Sequence, residues 1–260
     1  MTIHETSALI GHTGFVGSNL LRQRSFDAHY NSSNIEEIGG RTFDLVVCSG
    51  ARAEKWLANA EPKRDLENIE RLAGALEQVN ARKVVLVSTV DVFMNPVDVD
   101  EGSPVLQDGL HAYGRHRRLL EERLSSRFDT TVVRLPGLYG RGLKKNAIYD
   151  LLHDNDVHKI DSRGVFQFYN VEHLWRDVGV AMRNGLHLVH LPPEPVSIAD
   201  VASAAFARAF HNEVAPVPSR YNVRTRHSAL FGAHDGYVES MAQELAGIAA
   251  FVDAERVREP

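Results

Sequence analysis

The most constraining feature of this chain lies near its start. Residues 8 to 20 read ALIGHTGFVGSNL, an apolar run followed by Gly11, Gly14 and Gly17 at three-residue spacing. A tight strand-to-helix turn needs glycine. A pyrophosphate needs close backbone approach, and the helix must pack closely on the sheet. The helix read over Phe15 to Arg24 then offers free N–H groups and a positive dipole end to phosphates. Glycine spacing alone is weak evidence, and the strand before it and helix after it make it specific. The alternative is a turn that serves no ligand.

The rest of the chain continues the alternation. SALI (7–10) reads as a strand, Phe26 to Asn31 as a weak one, and DLVVC (44–48) and KVVLVS (83–88) as strong ones. Asp65 to Asn80 carries Leu66, Ile69, Leu72, Ala73 and Leu76 at helical spacing. Ala112 to Phe128 reads as a helix and TTVVRL (130–135) as a strand. Continuous apolar strands separated by helices indicate a parallel sheet covered on both faces, an α/β, Rossmann-like, doubly wound fold. The later pattern is looser. Asn146 to Asp154 reads as helical, Val165 to Tyr169 as extended, Val171 to Asn184 as helical and Leu186 to His190 as a strand. Ser197 with Asp200 forms a capping-box signal before an alanine-rich helix, and Tyr237 to Val252 reads as the last helix. We therefore expect a dinucleotide-binding domain over 1–135, with 165–184 packing back on it. A small substrate lobe is expected from 136–164 and 185–260.

Composition narrows the function. The 260 residues are 43% hydrophobic and 24% charged with a net charge of -5, which gives no basic footprint for nucleic acid. No apolar run reaches transmembrane length, and the N-terminus lacks a signal-peptide pattern. The single cysteine, Cys48, sits in an apolar strand, which fits a buried thiol and a cytoplasmic home. The pairs His153/His158 and His187/His190 lack further ligands, so no metal site is expected.

Residues 113 to 118, YGRHRR, concentrate the chemistry. With Tyr113 as zero on a wheel of about 100° per residue, Arg117, Leu120, Leu124 and Phe128 fall within roughly 60° of it. Arg115 and Arg118 fall on the far side, where Arg118 can meet Glu122 at i,i+4. Arg117 shares the apolar stripe. A cation there needs an anion or several acceptors, which Tyr113 and a bound dinucleotide would supply, or it snorkels to solvent.

ALIGHTGFVGSNL, VVLVSTVDVF, AYGRHRRLLEERL and VVRLPGLYGRG follow the order and spacing of the extended short-chain dehydrogenase/reductases, which this chain resembles over most of its length. That family contains NAD(P)-dependent epimerases, dehydratases and reductases, many acting on nucleotide-sugars. The resemblance implies Tyr113 as acid/base, Thr89 as the hydroxyl partner (Ser88 being the lesser candidate), and Arg117 where relatives carry lysine. It implies Asn68 as a supporting helix asparagine and Pro136 beside the nicotinamide. The cofactor set it implies is Gly11, Thr13, Gly14, Phe15, Val16, Gly17, Asn31, Ser32, Ser49, Gly50, Asn68, Arg117 and Pro136. Dehydratases of the family place carboxylates near Asp91, a further acid/base candidate or simply a loop residue. The resemblance also implies a homodimer through the helices 65–80 and 112–128.

A cation near a tyrosine favours the phenolate, but arginine does not readily release a proton as lysine can. The second strand ends in Asn31, Ser32 and Ser33, with neither a carboxylate to repel a 2′-phosphate nor an arginine to bind one. Either NAD or NADP is allowed, with a slight lean to NADP. LKKNA (143–147), Gln167 and RTRH (224–227) are candidates to meet a small-molecule substrate. Two functions follow: an NAD(P)-dependent oxidoreductase or epimerase acting on a hydroxyl/carbonyl compound such as a nucleotide-sugar, or a non-catalytic NAD(P)-binding sensor that has lost the lysine.

Overall fold

The computed structural model describes residues 6–258. In chain order its principal elements begin with β1 (Ser7–Ile10), α1 (Phe15–Gln23), β2 (Ala28–Tyr30), β3 (Thr42–Cys48), α2 (Lys55–Ala60), α3 (Pro62–Glu77) and β4 (Asn80–Thr89). They continue with β5 (Val97–Val99), α4 (Ala112–Arg127), β6 (Thr130–Leu135), β7 (Gly137–Tyr139), α5 (Ala147–Leu152), β8 (Val165–Phe166) and β9 (Phe168–Asn170). The last are α6 (Leu174–Arg183), β10 (Leu188–His190), β11 (Val196–Ser197), α7 (Ile198–Phe206), β12 (Asn222–Val223) and α8 (Met241–Arg258).

The chain divides into two compact units. The first joins residues 1–94, 104–134 and 174–189, and carries the six-stranded sheet in the order β10-β6-β4-β3-β1-β2. β1 pairs in parallel with β2 and β3, and β3 in parallel with β4. Strand order therefore reverses between β1 and β3, the switch point where open α/β sheets leave a crevice at the carboxyl ends of their strands. Ile10, Val46, Val84 and Leu86 of the sheet pack with Ile69, Leu72 and Leu76 of α3 and Leu120 and Leu124 of α4. Fully buried strands need no polar alternation, which is why these runs are continuously apolar.

The second unit joins 95–103, 135–173 and 190–260, with paired strands β7/β9, β8/β11 and β5/β12. Its core brings Ile198 and Val201 of α7 together with Ile248 and Val252 of α8, Ile148 and Leu151 of α5, and Tyr139. The Ser197–Asp200 capping box is present, with the hydroxyl accepting the Asp200 N–H at 3.0 Å.

Some boundaries differ from the sequence expectation. α2 was not expected. β4 begins at Asn80 because Asn80 and Ala81 pair with Thr42 and Phe43. The last helix starts at Met241 rather than Tyr237. Ser240 and Gln243 bond each other reciprocally as a cap, while the Val238 N–H is held by the Pro192 carbonyl.

Candidate functional site

At the switch point, Gly11 has φ +86°, and a Cβ there would lie 2.5 Å from the Ser49 carbonyl oxygen. A Cβ on Gly17 would lie 2.1 Å from the Gly11 carbonyl. β1, β3 and the first turn of α1 therefore close together only because these two side chains are missing. The Ser49 N–H and hydroxyl both bond the Ile10 carbonyl at 2.9 Å, which fixes Ser49 and Gly50 beside the turn. Gly14 is the N-cap of α1, and no side chain caps that helix end. Thr13 is exposed, while Phe15 and Val16 are half-buried in the first turn. Close backbone approach and an uncapped helix N-terminus fit a diphosphate.

At the end of β2, Asn31 accepts the Ser33 N–H at 2.8 Å, and the Asn31 N–H donates to Asn34 at 2.8 Å. The expectation that no arginine stands here needs correction. Arg71 reaches across from α3, donating to the Ser32 carbonyl at 3.0 Å and pairing with Glu36. His12 joins the same edge, its Nδ1 3.0 Å from the Tyr30 carbonyl and its ring 5.6 Å from that of His29.

The carboxyl end of β4 carries the second group. Thr89 accepts the Asp91 N–H at 3.1 Å, turning the chain into a short 3-10 segment, Val90–Val92. α4 begins directly against that turn. A Cβ on Gly114 would lie 2.2 Å from the Asp91 carbonyl, so glycine in YGRHRR lets the helix approach. The orphan N–H groups of its first turn are satisfied by neighbours. Asn59 of α2 accepts the Tyr113 N–H at 3.0 Å, and His111 Nδ1 accepts the Gly114 N–H at 3.0 Å. Burial pushes the His111 pKa down, and the nearby Lys55 charge adds to this, keeping the ring neutral as an acceptor.

Tyr113 is 7% exposed, in the helix turn that packs against the Thr89–Asp91 segment. Burial pushes the phenol above its ordinary pKa. Arg117, Thr89 and Lys55 pull it down and Asp91 pushes it up, and burial prevails. Burial therefore holds the phenol protonated at neutral pH despite the cation over its ring.

Arg117 is 3% exposed and is held elsewhere than at a ligand. Its guanidinium donates to Asp65 of α3 at 2.5 Å and to the Arg52 carbonyl. It lies over the Tyr113 ring, 4.1 Å from the centroid, so it meets the π face. Asp65 also takes His116 Nδ1 at 2.7 Å. The anion that the packed arginine requires is thus a protein carboxylate, which the sequence reading did not single out. Asn68 bonds the Arg64 carbonyl at 2.8 Å and lines a narrow cleft with Arg52, Leu57 and Asp65.

Ser88 is set apart from Thr89. Its hydroxyl donates to Glu121 at 2.5 Å, and Glu121 is bridged twice by Arg134, at 2.9 and 2.6 Å. All three side chains are buried. Asp91 pairs with Lys55 of α2 at 2.7 Å. As expected, Arg118 meets Glu122 at 2.8 Å, and it also bonds Glu121. Cys48 is buried, with its thiol pushed up to about 11. A cleft of about 590 Å³ bounded by Arg82, Lys83 and Asp129 lies towards the amino ends of the strands, away from Gly11 and Thr89.

Within the second unit, Gln167 is buried, with its amide bonded to the carbonyls of Pro193 and Val223. Arg226 pairs with Asp100 at 2.8 Å, and Arg224 lies over the Tyr237 ring. Lys144 and Lys145 are exposed. Pro136 is half-buried and follows β6 directly.

No family model and no curated protein matches the sequence. Solved structures do match in shape. An NAD-dependent NDP-hexosamine 5,6-dehydratase, TunA, involved in tunicamycin biosynthesis, aligns with a TM-score of 0.76 at 16% identity, covering 98% of this chain and 99% of its own. This chain has its fold. The dTDP-4-dehydrorhamnose reductase of Bacillus anthracis, solved with NADP, gives 0.73 at 17% identity over 98% and 99%. A UDP-N-acetylglucosamine 4-epimerase from Methanobrevibacter ruminantium, solved with UDP-N-acetylmuramic acid, gives 0.74 at 13% over the same shares. The α/β, Rossmann-like expectation therefore holds from end to end, and the neighbours' reactions differ from one another on this shared scaffold.

Proposed function

We propose that this protein is an NAD(P)-dependent enzyme of the extended short-chain dehydrogenase/reductase type, acting on a hydroxyl or carbonyl carbon of a small molecule. The observation that carries this reading is the burial of Tyr113 in the first turn of α4, packed against the Thr89–Asp91 turn at the carboxyl end of β4. The Gly11–Gly17 turn opens at that same end of the sheet. A proton donor and a neutral hydrogen-bonding hydroxyl are what a carbonyl oxygen needs as it becomes an alcohol. The backbone of Gly11, Gly14, Phe15, Val16 and Gly17 would hold the diphosphate, with Ser49 and Gly50 lining the crevice. Bound nicotinamide would supply the hydride acceptor or donor. Thr89 orients the substrate oxygen, and Tyr113 gives its proton to that oxygen or takes one from it. The solved neighbours named above act on nucleotide-linked sugars, which supports a nucleotide-sugar as the substrate class. Arg71 at the Ser32 carbonyl is paired with Glu36, so a guanidinium able to meet a 2′-phosphate stands beside a carboxylate that would repel one, and the site admits NAD as well as NADP.

A second reading has its own observation. Arg117 is committed to Asp65, and burial holds the phenol protonated, as a non-catalytic NAD(P)-binding protein would tolerate.

Calorimetry with NAD(H) and NADP(H) tests both readings, because a protein that binds neither refutes them together. Turnover on a panel of nucleotide-sugars with bound cofactor then separates them. Loss of that turnover in Tyr113→Phe, with cofactor affinity unchanged, is the outcome the enzyme reading requires.

A further inference from the structure

Arg117 occupies the position of the family's lysine, but its guanidinium faces Asp65, the Arg52 carbonyl and the π face of Tyr113. A different cation is paired with Asp91, whose carbonyl abuts Gly114 beside Tyr113. α2 is docked onto the first turn of α4 by Asn59, which accepts the Tyr113 N–H at 3.0 Å. Lys55 is four residues before Asn59, on the same face of the helix. Its ammonium lies 2.7 Å from Asp91. Asp91 is tied to Thr89 through its own N–H, and its carbonyl abuts Gly114 beside Tyr113. Three segments thus converge on the first turn of α4, where Tyr113 sits, and a lysine enters from a segment other than the tyrosine's own helix.

We propose that Lys55, with Asp91 as its counter-ion, is the positioning cation for the Tyr113 proton, in place of a lysine one turn along α4. This rests on Tyr113 being the acid/base. The charged and titratable groups facing Tyr113 are Arg117 and His111 on its own segment, Lys55 on α2 and Asp91 after β4. Of the two cations, Arg117 is committed to Asp65, the Arg52 carbonyl and the π face of the ring, whereas the Lys55 side chain is 38% exposed and pairs with Asp91. When Tyr113 gives its proton to a substrate oxygen, the phenol O–H bond breaks and the substrate O–H bond forms. Lys55 keeps its charge and stabilises the phenolate left by the transfer.

The test reads the phenol directly and needs no substrate. Tyrosines are replaced by 3-fluorotyrosine, and the Tyr113 fluorine resonance, assigned by its loss in Tyr113→Phe, is titrated. Lys55→Gln should raise its midpoint by about one unit, and Asp91→Asn should lower it. Lys55→Arg should restore the wild-type value, and Trp56→Ala, next in sequence and exposed, should leave it unmoved. An unmoved Tyr113 midpoint in a folded Lys55→Gln protein overturns the proposal, as does an equal shift in Trp56→Ala. NAD(H) and NADP(H) binding is measured on the same proteins. Failure of the wild type to bind either refutes the proposed function, whereas an unmoved phenol in a variant that binds refutes only the role of Lys55.

Discussion

The Arg117 guanidinium lies 4.1 Å from the centre of the Tyr113 ring while it donates to Asp65, a residue 52 positions earlier in the chain. Tyrosine and arginine face inward together, one turn apart, but the arginine's charge is answered by α3. Stacking on the ring locates the guanidinium against the aromatic face, and its hydrogen bonds go to Asp65 and the Arg52 carbonyl.

The buried pair sets a stability prediction. Asp65→Ala leaves an uncompensated guanidinium in the core and should cost about 3–5 kcal/mol in denaturant unfolding. Arg117→Lys should also lower the melting temperature. A single ammonium on a shorter chain cannot keep Asp65, the Arg52 carbonyl and the ring face together. Equal stability of Arg117→Lys and wild type would contradict this geometry.

The glycine turn separates two positions that look alike in sequence. Gly17→Ala puts a methyl 2.1 Å from the Gly11 carbonyl and should destabilise by about 1–3 kcal/mol, with loss of NAD(P) affinity. Gly14→Ala meets that same carbonyl at 3.3 Å and should be far milder. Thermal melts and calorimetric titration of the two variants side by side check the order.

Adjacent hydroxyls should differ in turnover. Ser88→Ala removes a donor from the buried Glu121–Arg134 pair, costing about 1 kcal/mol with turnover per folded molecule kept. Thr89→Val loses the cap on the Asp91 N–H, costing about 1 kcal/mol as well, but, unlike Ser88→Ala, should lower kcat. The reverse pattern would exchange their roles.

Glu244 gives a pH prediction. Its carboxyl is fully buried, one oxygen accepts the Phe168 N–H at 2.6 Å, and burial pushes its pKa up from 4.5 to about 9. Between those values the folded protein holds a proton that the unfolded chain has released. The stabilising contribution is therefore complete below the unfolded pKa and is lost as pH rises through the folded one, at about 1.4 kcal/mol per unit. Glu244→Gln keeps an acceptor for Phe168 and does not titrate. Its melting temperature relative to wild type should climb steadily from about pH 5 to about pH 9, and a constant difference would refute the assignment.

Much of this protein was legible in one dimension. Gly11, Gly14 and Gly17 next to a run of apolar residues determined a strand-turn-helix opening, because only glycine tolerates the backbone approach seen at Ser49. The apolar runs determined a sheet buried on both faces, and the 3.6-residue period put Tyr113 and Arg117 on the inward face of one helix. What the sequence left open was the partner of each inward group. KWLANA, the six-residue helix bearing Lys55 and Asn59, is too short to show a helical period. Asp65 read as part of a helix start, and Arg71, 39 residues from Ser32, carried no signal of its own. Periodicity tells which side of an element faces the core. Which element packs against that side, and so whether a buried arginine meets a cofactor or a carboxylate, is decided only when strands pair and helices dock across tens of residues.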